Sequence, residues 1–187
     1  MTVSSRRIPD PDVRLLVAIA GALRGDYIRE GEADPWAGSP FAWIRTLPSR
    51  QRGKIGEQLV AGWCAAKGLD VIGSGDSEAD RVIAGWRVEV KFSTLWASGV
   101  YKFQQIRDQR YDYVICLGLA PFDARCWLIP KSVLREHVIG HTPQHAGRRG
   151  TDTFWLSLSA ANPPEWLSDC GGTLARVHEL LQVASRQ

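Results

Sequence analysis

The sequence predicts an α/β fold in which helices flank a mixed central sheet. Residues 113–119 (YVICLGL) are almost all apolar, as in a strand that is buried on both faces, and residues 124–129 (ARCWLI) form a second apolar strand. Apolar side chains recur at helical spacing in residues 51–67 and again in residues 173–183. Buried strands combined with amphipathic helices are typical of a sheet that lies between helical layers.

The composition is that of one globular domain. With 187 residues, 44% of them hydrophobic and 23% charged, the chain can bury a substantial core. A net charge of +3 is compatible with a nucleic-acid partner and does not require one. The four cysteines are widely spaced in apolar surroundings, which predicts reduced core thiols of a cytoplasmic protein. No run approaches the ~18 apolar residues of a membrane span, so no membrane partner is expected.

We expect three regions within this domain. Residues 1–48 form an N-terminal helix and a loop rich in proline and tryptophan, both packed on the core. The helix is predicted over residues 13–24 with Asp12 as its N-cap, and the loop covers residues 31–48, where a DNA-contacting arm is the alternative. Residues 49–137 are the core. Residues 138–187 add a basic loop, a strand and terminal helices to the same domain.

The core begins with a helix over residues 51–67, which Ser49 can cap and Gly68 can end. Glu57 falls close to the apolar face of this helix without being part of it. A short strand over residues 69–72 and a flexible acidic loop over residues 73–78 follow. This loop leads to Asp80.

A β-hairpin is predicted immediately after Asp80. Two short runs rich in β-branched and apolar residues, 81–83 and 87–92, are separated by the turn residues Ala84 and Gly85. Residues i and i+2 of a strand point to the same side. Glu89 and Lys91 therefore share one face, while Val88, Val90 and Phe92 point into the core.

Asp80, Glu89 and Val90 together offer the ligand types that bind a hard cation. The carboxylates of Asp80 and Glu89, with the backbone carbonyl of Val90, are oxygen ligands of the kind that Mg²⁺ prefers. One or two Mg²⁺ ions are expected, with Mn²⁺ as a substitute. The alternative is a surface hairpin that carries an incidental charge pair.

The spacing of the three charged residues, Asp80, then Glu89 after eight intervening residues, then Lys91, resembles the motif of the PD-(D/E)XK nuclease superfamily. The resemblance covers residues 51–130 and implies the restriction-endonuclease-like αβββαβ core. The proline that this family places before the first acid is absent, because Ala79 occupies that position.

The resemblance also implies functions for the residues of the motif. Asp80, Glu89 and the Val90 carbonyl would hold the metal, Lys91 would orient water or stabilise charge, and Glu57 would reach the metal directly or through water. The whole is most similar to a Type II restriction endonuclease, a homodimer that cuts double-stranded DNA. The alternatives are a structure-selective nuclease, such as a junction resolvase or repair enzyme, a non-cleaving DNA-binding module of the same fold, and an RNA substrate. For Glu57, a solvated helix acid is the alternative.

Two further segments are candidates for contact with DNA. Residues 101–109 (YKFQQIRDQ) are interpreted as a polar helix anchored by Phe103 and Ile106, which would line the nucleic-acid cleft. That helix would offer Lys102, Gln104, Gln105 and Arg107. A flexible basic loop would offer Arg148 and Arg149 to phosphate or guanine. A solvated surface is the alternative for the helix, and a zinc site formed by the nearby histidines is the alternative for the loop.

Overall fold

The computed structural model describes residues 8–27, 36–143 and 152–184. Its elements in chain order are α1 (Pro11–Tyr27), α2 (Ala42–Arg45), α3 (Ser49–Ala66), β1 (Val71–Gly73), β2 (Arg81–Ile83), β3 (Trp86–Thr94), β4 (Val100–Ile106), β5 (Tyr113–Leu119), β6 (Ala124–Pro130), α4 (Lys131–His137), β7 (Phe154–Ser159), a 3₁₀ helix (Glu165–Cys170) and α5 (Leu174–Ala184). Arg148 and Arg149 of the predicted basic loop lie outside the described residues, as does His145, one of the three histidines of the alternative zinc site with His137 and His141. In the part of the chain that is described, no helix is long and apolar enough to cross a membrane.

The central sheet has five strands in the order β1-β2-β3-β5-β6. Strands β3 and β5 run parallel and the other neighbours run antiparallel, so the sheet is mixed. One face packs against α1, α3 and α5 through a core that includes Leu16, Trp63 and Leu181. The other face packs against a two-stranded antiparallel sheet formed by β4 and β7. The predicted α/β class with helices flanking a mixed sheet is confirmed.

The two apolar strands lie at the centre of this arrangement. All but the first residue of β5 are buried, with Ile115 and Leu117 in the core beneath the helices and Val114 and Cys116 in the core beneath β4 and β7. The prediction of a strand buried on both faces is therefore confirmed. All four cysteines are free and buried, as expected for core thiols.

The helix predicted over residues 101–109 is wrong. The segment forms strand β4, which pairs with β7. Phe103 pairs with Leu156 and Ile106 with Phe154, so two residues of β4 oppose one residue of β7 and a β-bulge results. The bulge turns both Phe103 and Ile106 inward although they are three positions apart, and this spacing imitates a helix. A strand thus stands where the αβββαβ order has its second helix.

Smaller differences concern the ends of helices. Asp10, and not Asp12, caps α1, because its carboxylate accepts hydrogen bonds from the backbone N–H groups of Asp12 and Val13 at 2.8 and 3.2 Å. Asp12 is buried and forms an ion pair with Lys67 at 2.6 Å. Pro48 precedes α3 in place of the predicted Ser49 cap.

The segment before α3 packs over the core, as predicted for the described part of residues 31–48. It contains the short helix α2, and Phe41 and Trp43 are almost fully buried. Near the C-terminus, the predicted strand is β7, and the predicted terminal helices are a 3₁₀ helix and α5. The three regional boundaries stay predictions.

Helix α3 touches β3 at one closely packed point. A Cβ atom added at Gly56 would lie 2.3 Å from the Cβ of Phe92, so only glycine permits this approach. Gly53, one turn earlier on the same helix, has no such neighbour within 4 Å.

We predict that Gly56→Ala lowers the free energy of unfolding by ~1–3 kcal/mol, because the added methyl group overpacks the contact with Phe92. Gly53→Ala is the matched control and should raise it by up to ~1 kcal/mol through its better helix propensity. Urea denaturation of both variants checks this. Equal effects of the two substitutions would show that the contact with Phe92 is not tight.

Candidate active site

The β2–β3 hairpin positions the candidate site. Its turn is formed by Ala84 and Gly85, which have positive φ angles of 51° and 87°, and Ile83 pairs with Trp86. Beyond the other end of β2, the backbone N–H of Asp80 donates to the carbonyl of Val88 at 3.1 Å. The hairpin pairing thus fixes the backbone of Asp80 next to β3.

Strand β3 presents a row of polar side chains on one face. Lys91 Nζ donates to Glu89 Oε1 at 2.7 Å, and only 14% and 11% of these two side chains are exposed. Val88 and Val90 are buried in the core on the opposite face. The carboxylate and the ammonium group therefore form a largely buried pair.

Asp80 joins this pair through the backbone of β3. Its Oδ2 accepts a hydrogen bond from the N–H of Val90 at 2.7 Å. The N–H and C=O of one strand residue point to the same neighbour, so the Val90 carbonyl also faces the side on which Asp80 lies. Two carboxylates and one carbonyl converge there.

The charge of Asp80 acts on Glu89. Burial raises the pKa of Glu89, the nearby Asp80 carboxylate raises it further, and Lys91 opposes both. The Asp80 and Glu89 carboxylates therefore repel each other in this partly buried environment. A cation placed between them would relieve that repulsion.

Glu57 lies at the edge of the same group. The close contact of Gly56 with Phe92 brings the next residue of α3 towards β3, and Glu57 Oε2 lies 3.8 Å from Arg81 Nη2. Burial raises the pKa of Glu57, the charges of Asp80 and Glu89 also raise it, and Arg81 and Lys91 lower it. The pKa of Glu57 is therefore shifted by every charged group of the site, while its carboxylate forms its ion pair with Arg81.

The loop before Asp80 was expected to be flexible, and instead it is tied down. Asp76 accepts hydrogen bonds from Arg87 at 2.8 and 3.0 Å, and this partner lowers the pKa of Asp76. Ser74 Oγ donates to the carbonyl of Ala79 at 2.5 Å. Residues 73–77 and 79–81 line an open cleft beside Asp80.

The donor atoms fit Mg²⁺, which is commonly held by one or two carboxylates and keeps several waters. Asp80 and Glu89 supply two carboxylates, and the Val90 carbonyl adds a neutral oxygen. Among the described residues, no group of three or more His, Cys, Asp or Glu side chains is close enough to form a metal cluster. The geometry thus offers a site with two acids, to which Glu57 is adjacent.

The residues proposed to contact DNA lie on β4 and just after it. Lys102 Nζ is 4.0 Å from the ring centroid of Trp96 and 5.7 Å from that of Trp155. Gln104 and Gln105 are exposed at the bulge, and Gln105 has a φ of 57°. Arg107 is exposed after the end of the strand. All four belong to a strand or its end, not to the predicted helix.

The structure places two further residues beside the site, one of which, Ser93, the sequence assigned to a loop that could approach phosphates. Ser93 is two positions after Lys91 on the same face of β3, and its Oγ accepts a hydrogen bond from the N–H of Lys102 at 2.9 Å. Strand alternation could have identified Ser93. Arg81 contacts Glu57 across elements that are distant in sequence, and no local pattern indicates that contact.

Comparison with known proteins finds similarity to solved structures but not to family models or curated sequences. No protein-family model matches the sequence, and no curated protein matches it. Among solved structures, the chain is similar to a bacterial homing endonuclease at 17% identity and a TM-score of 0.48. That match covers 75% of this chain and 96% of the other. The candidate site therefore stands on its own geometry.

We predict that Glu57 makes the protein less stable as the pH rises. Because its folded pKa is raised, the folded protein holds this proton more tightly than the unfolded chain, whose pKa is near 4.5. The stabilisation is complete below that value and is lost as the pH rises through the folded pKa. The stability of Glu57→Gln relative to the parent protein should therefore increase as the pH rises from 4.5 through the folded pKa of Glu57.

Urea denaturation at several pH values, without divalent metal, measures this difference. Asp76→Asn is the control, since the pKa of Asp76 is lowered from 3.8 and its effect should be constant above about pH 5. Parallel pH profiles of Glu57→Gln and the parent protein would contradict the prediction.

Proposed function

We propose that this protein is a Mg²⁺-dependent endonuclease that hydrolyses phosphodiester bonds in double-stranded DNA. The observation that carries the proposal is the convergence of Asp80, Glu89, Lys91 and the Val90 carbonyl at the edge of β3. Hydrolysis of a phosphodiester needs a positioned nucleophile and compensation of the negative charge that builds up on the phosphate. This group of residues offers both.

Asp80, Glu89 and the Val90 carbonyl are the residues that would hold the metal, as one ion or as two, with Mn²⁺ as the expected substitute. Bound there, the metal supplies positive charge beside the scissile phosphate and makes water more acidic. The protein's own contribution is to hold both carboxylates in place before substrate arrives. The Val90 N–H does this for Asp80 and the Lys91 ammonium does it for Glu89.

Lys91 has a second role when DNA is bound. Its Nζ has three N–H donors and gives one to Glu89. The remaining donors can orient the attacking water or stabilise the charge that develops on the phosphate oxygens. Glu57, one step further out, would act on water at the site rather than hold the metal directly. The two residues share the task of positioning the nucleophile.

Within this class we propose a Type II restriction endonuclease that recognises a short site as a homodimer. A two-fold pair of sites cuts both strands of a duplex, which one copy of the site cannot do at once. Structure-selective nucleases and non-cleaving DNA-binding modules are the competing functions. The three charged positions are all filled in this chain, which favours a cleaving enzyme over a binding module.

We predict that Glu89→Ala abolishes metal binding. Loss of an outer-shell partner already weakens a metal site by about 10–100-fold, so loss of a ligand should do at least as much. Isothermal titration with Mn²⁺ measures this directly and does not depend on activity. Glu179→Ala, on the exposed face of α5, is the matched control and should bind as the parent protein does. Unchanged affinity in Glu89→Ala would remove Glu89 from the metal site.

We predict that Lys91→Ala lowers the cleavage rate by about 10²–10³-fold, while DNA binding changes by only a few-fold, because Lys91 acts on the transition state. The unsubstituted protein and Lys91→Ala are each incubated with methylation-free plasmid and phage DNA in Mg²⁺, and the DNA is examined on a gel. A further sample of the unsubstituted protein contains a chelator. Discrete bands that the unsubstituted protein produces, and that are absent with Lys91→Ala and with the chelator, indicate a sequence-specific endonuclease.

Other results of this experiment separate the competing functions. Cleavage restricted to branched DNA would favour the structure-selective nuclease, and binding without cleavage would favour the DNA-binding module. Full cleavage activity of Lys91→Ala would contradict the proposed mechanism.

A further inference from the structure

The two-stranded sheet of β4 and β7, here called the ribbon, has one buried face and one outer face. Tyr101, Phe103, Leu156 and Leu158 are buried in the core between the ribbon and the central sheet. The outer face carries Lys102 and Gln104 from β4 and Trp155 and Ser157 from β7, and Lys102 pairs with Ser157 across the two strands. Polar side chains and one indole ring therefore point away from the core.

Neither strand of the ribbon contains an acidic residue. The cation on the outer face, Lys102, is held in place, since its Nζ lies 4.0 Å from the ring centroid of Trp96, a side chain that is 46% exposed. A cation over an aromatic face in solvent is stabilised and oriented. The charge and the polar groups of this face are complementary to a polyanion that also offers hydrogen-bonding groups.

The β-bulge adds to this face. Two residues of β4, Gln104 and Gln105, are exposed where β7 provides only one opposing residue. Simple alternation would turn Gln105 inward and Ile106 outward, whereas Ile106 is fully buried. Bulges re-aim side chains in this way and are frequent beside functional sites. An amide side chain can donate and accept at once, which suits the edge of an adenine.

The ribbon lies directly beside the candidate active site. The Ser93 hydroxyl, two residues after Lys91 on the same face of β3, accepts the N–H of Lys102 at 2.9 Å. Residues i and i+2 of a strand are ~7 Å apart. The edge of the ribbon is therefore about 10 Å from Lys91, or roughly three base-pair steps along a duplex.

Building on the proposed function, we infer that the outer face of the ribbon reads base edges in the major groove of duplex DNA, next to the phosphate that is cleaved. The major groove is ~12 Å wide and admits a two-stranded β-ribbon. Gln104 reads a base edge, Ser157 contacts a neighbouring base, and Lys102 contacts guanine or the adjacent phosphate. The Ser93 hydrogen bond sets the distance between the base pairs that are read and the bond that is cut.

The test is a selection from a library of synthetic duplexes with randomised base pairs. It uses the Lys91→Ala protein in Mg²⁺, so that bound duplexes stay intact, and the selected duplexes are sequenced. We expect this protein to select a short motif, and the added substitution Gln104→Ala to lose preference at one or two adjacent base pairs by about 10-fold or more. Ser157→Ala should relax a neighbouring position. Gln182→Ala, on α5 across the central sheet, is the control and should leave the motif unchanged.

The outcomes separate the ribbon from the proposed function. An identical motif in all ribbon variants overturns the ribbon as the reader and leaves the nuclease proposal standing. A motif that Gln104→Ala changes in this selection, together with no cleavage of the selected duplexes by the protein that retains Lys91, supports the ribbon and overturns the nuclease. Absence of any duplex binding overturns both. Thermal unfolding of each variant, expected to match the parent protein because the outer face contributes nothing to the core, guards against misfolding.

Discussion

The structure depends on the way that β3 is enclosed. Its first three residues are hydrogen-bonded to β2 on one side, residues 88–94 are hydrogen-bonded to β5 on the other, and the strand contributes to a core on each face. Each residue of β3 therefore has a fixed direction, and a slip of one position would exchange the apolar and polar sides. Val88 and Val90 anchor the strand in the core beneath the helices. Glu89, Lys91 and Ser93 are held on the other face as a consequence.

This constraint explains why charged groups can remain in a partly buried place. Taking a carboxylate and an ammonium group out of water is costly unless each has a partner. Glu89 has Lys91, Asp80 has the Val90 N–H, and Glu57 has Arg81. The arrangement is still unbalanced, because burial and the charge of Asp80 raise the pKa of both Glu57 and Glu89. An excess of negative charge held rigidly in a cleft is what a cation site requires before its ion arrives.

Local sequence patterns were enough to predict much of the fold and of the candidate site. Strand alternation placed Glu89 and Lys91 on one face, turn residues identified the hairpin, and continuous apolar runs identified β5 and β6. The position of Asp80 against Val90 depends on the hairpin register, which the turn at Ala84 and Gly85 also indicates. The pairing of Arg81 with Glu57 could not be predicted, because it depends on how closely α3 packs on β3 at Gly56.

The error over residues 101–109 has a specific physical cause. Phe103 and Ile106 are spaced as on a helix, and the polar residues between them support that interpretation. A bulge produces the same spacing in a strand by leaving one residue unopposed. Periodicity alone cannot distinguish the two in so short a segment. Only pairing with β7, some fifty residues later in the chain, decides the conformation.

The bulge also has a consequence for how this protein can change over evolutionary time. The inner face of the ribbon is committed to the core, whereas Gln104, Gln105 and Ser157 make up an exposed surface that the core does not need. Substitutions there leave folding and the acid–lysine row intact, so selection can act on them independently. Deletion of a single glutamine would restore simple alternation, with Ile106 still facing inward opposite Phe154 and one exposed amide fewer on the outer face. The core therefore permits the outer face to change both in residue type and in the number of amide side chains at the bulge.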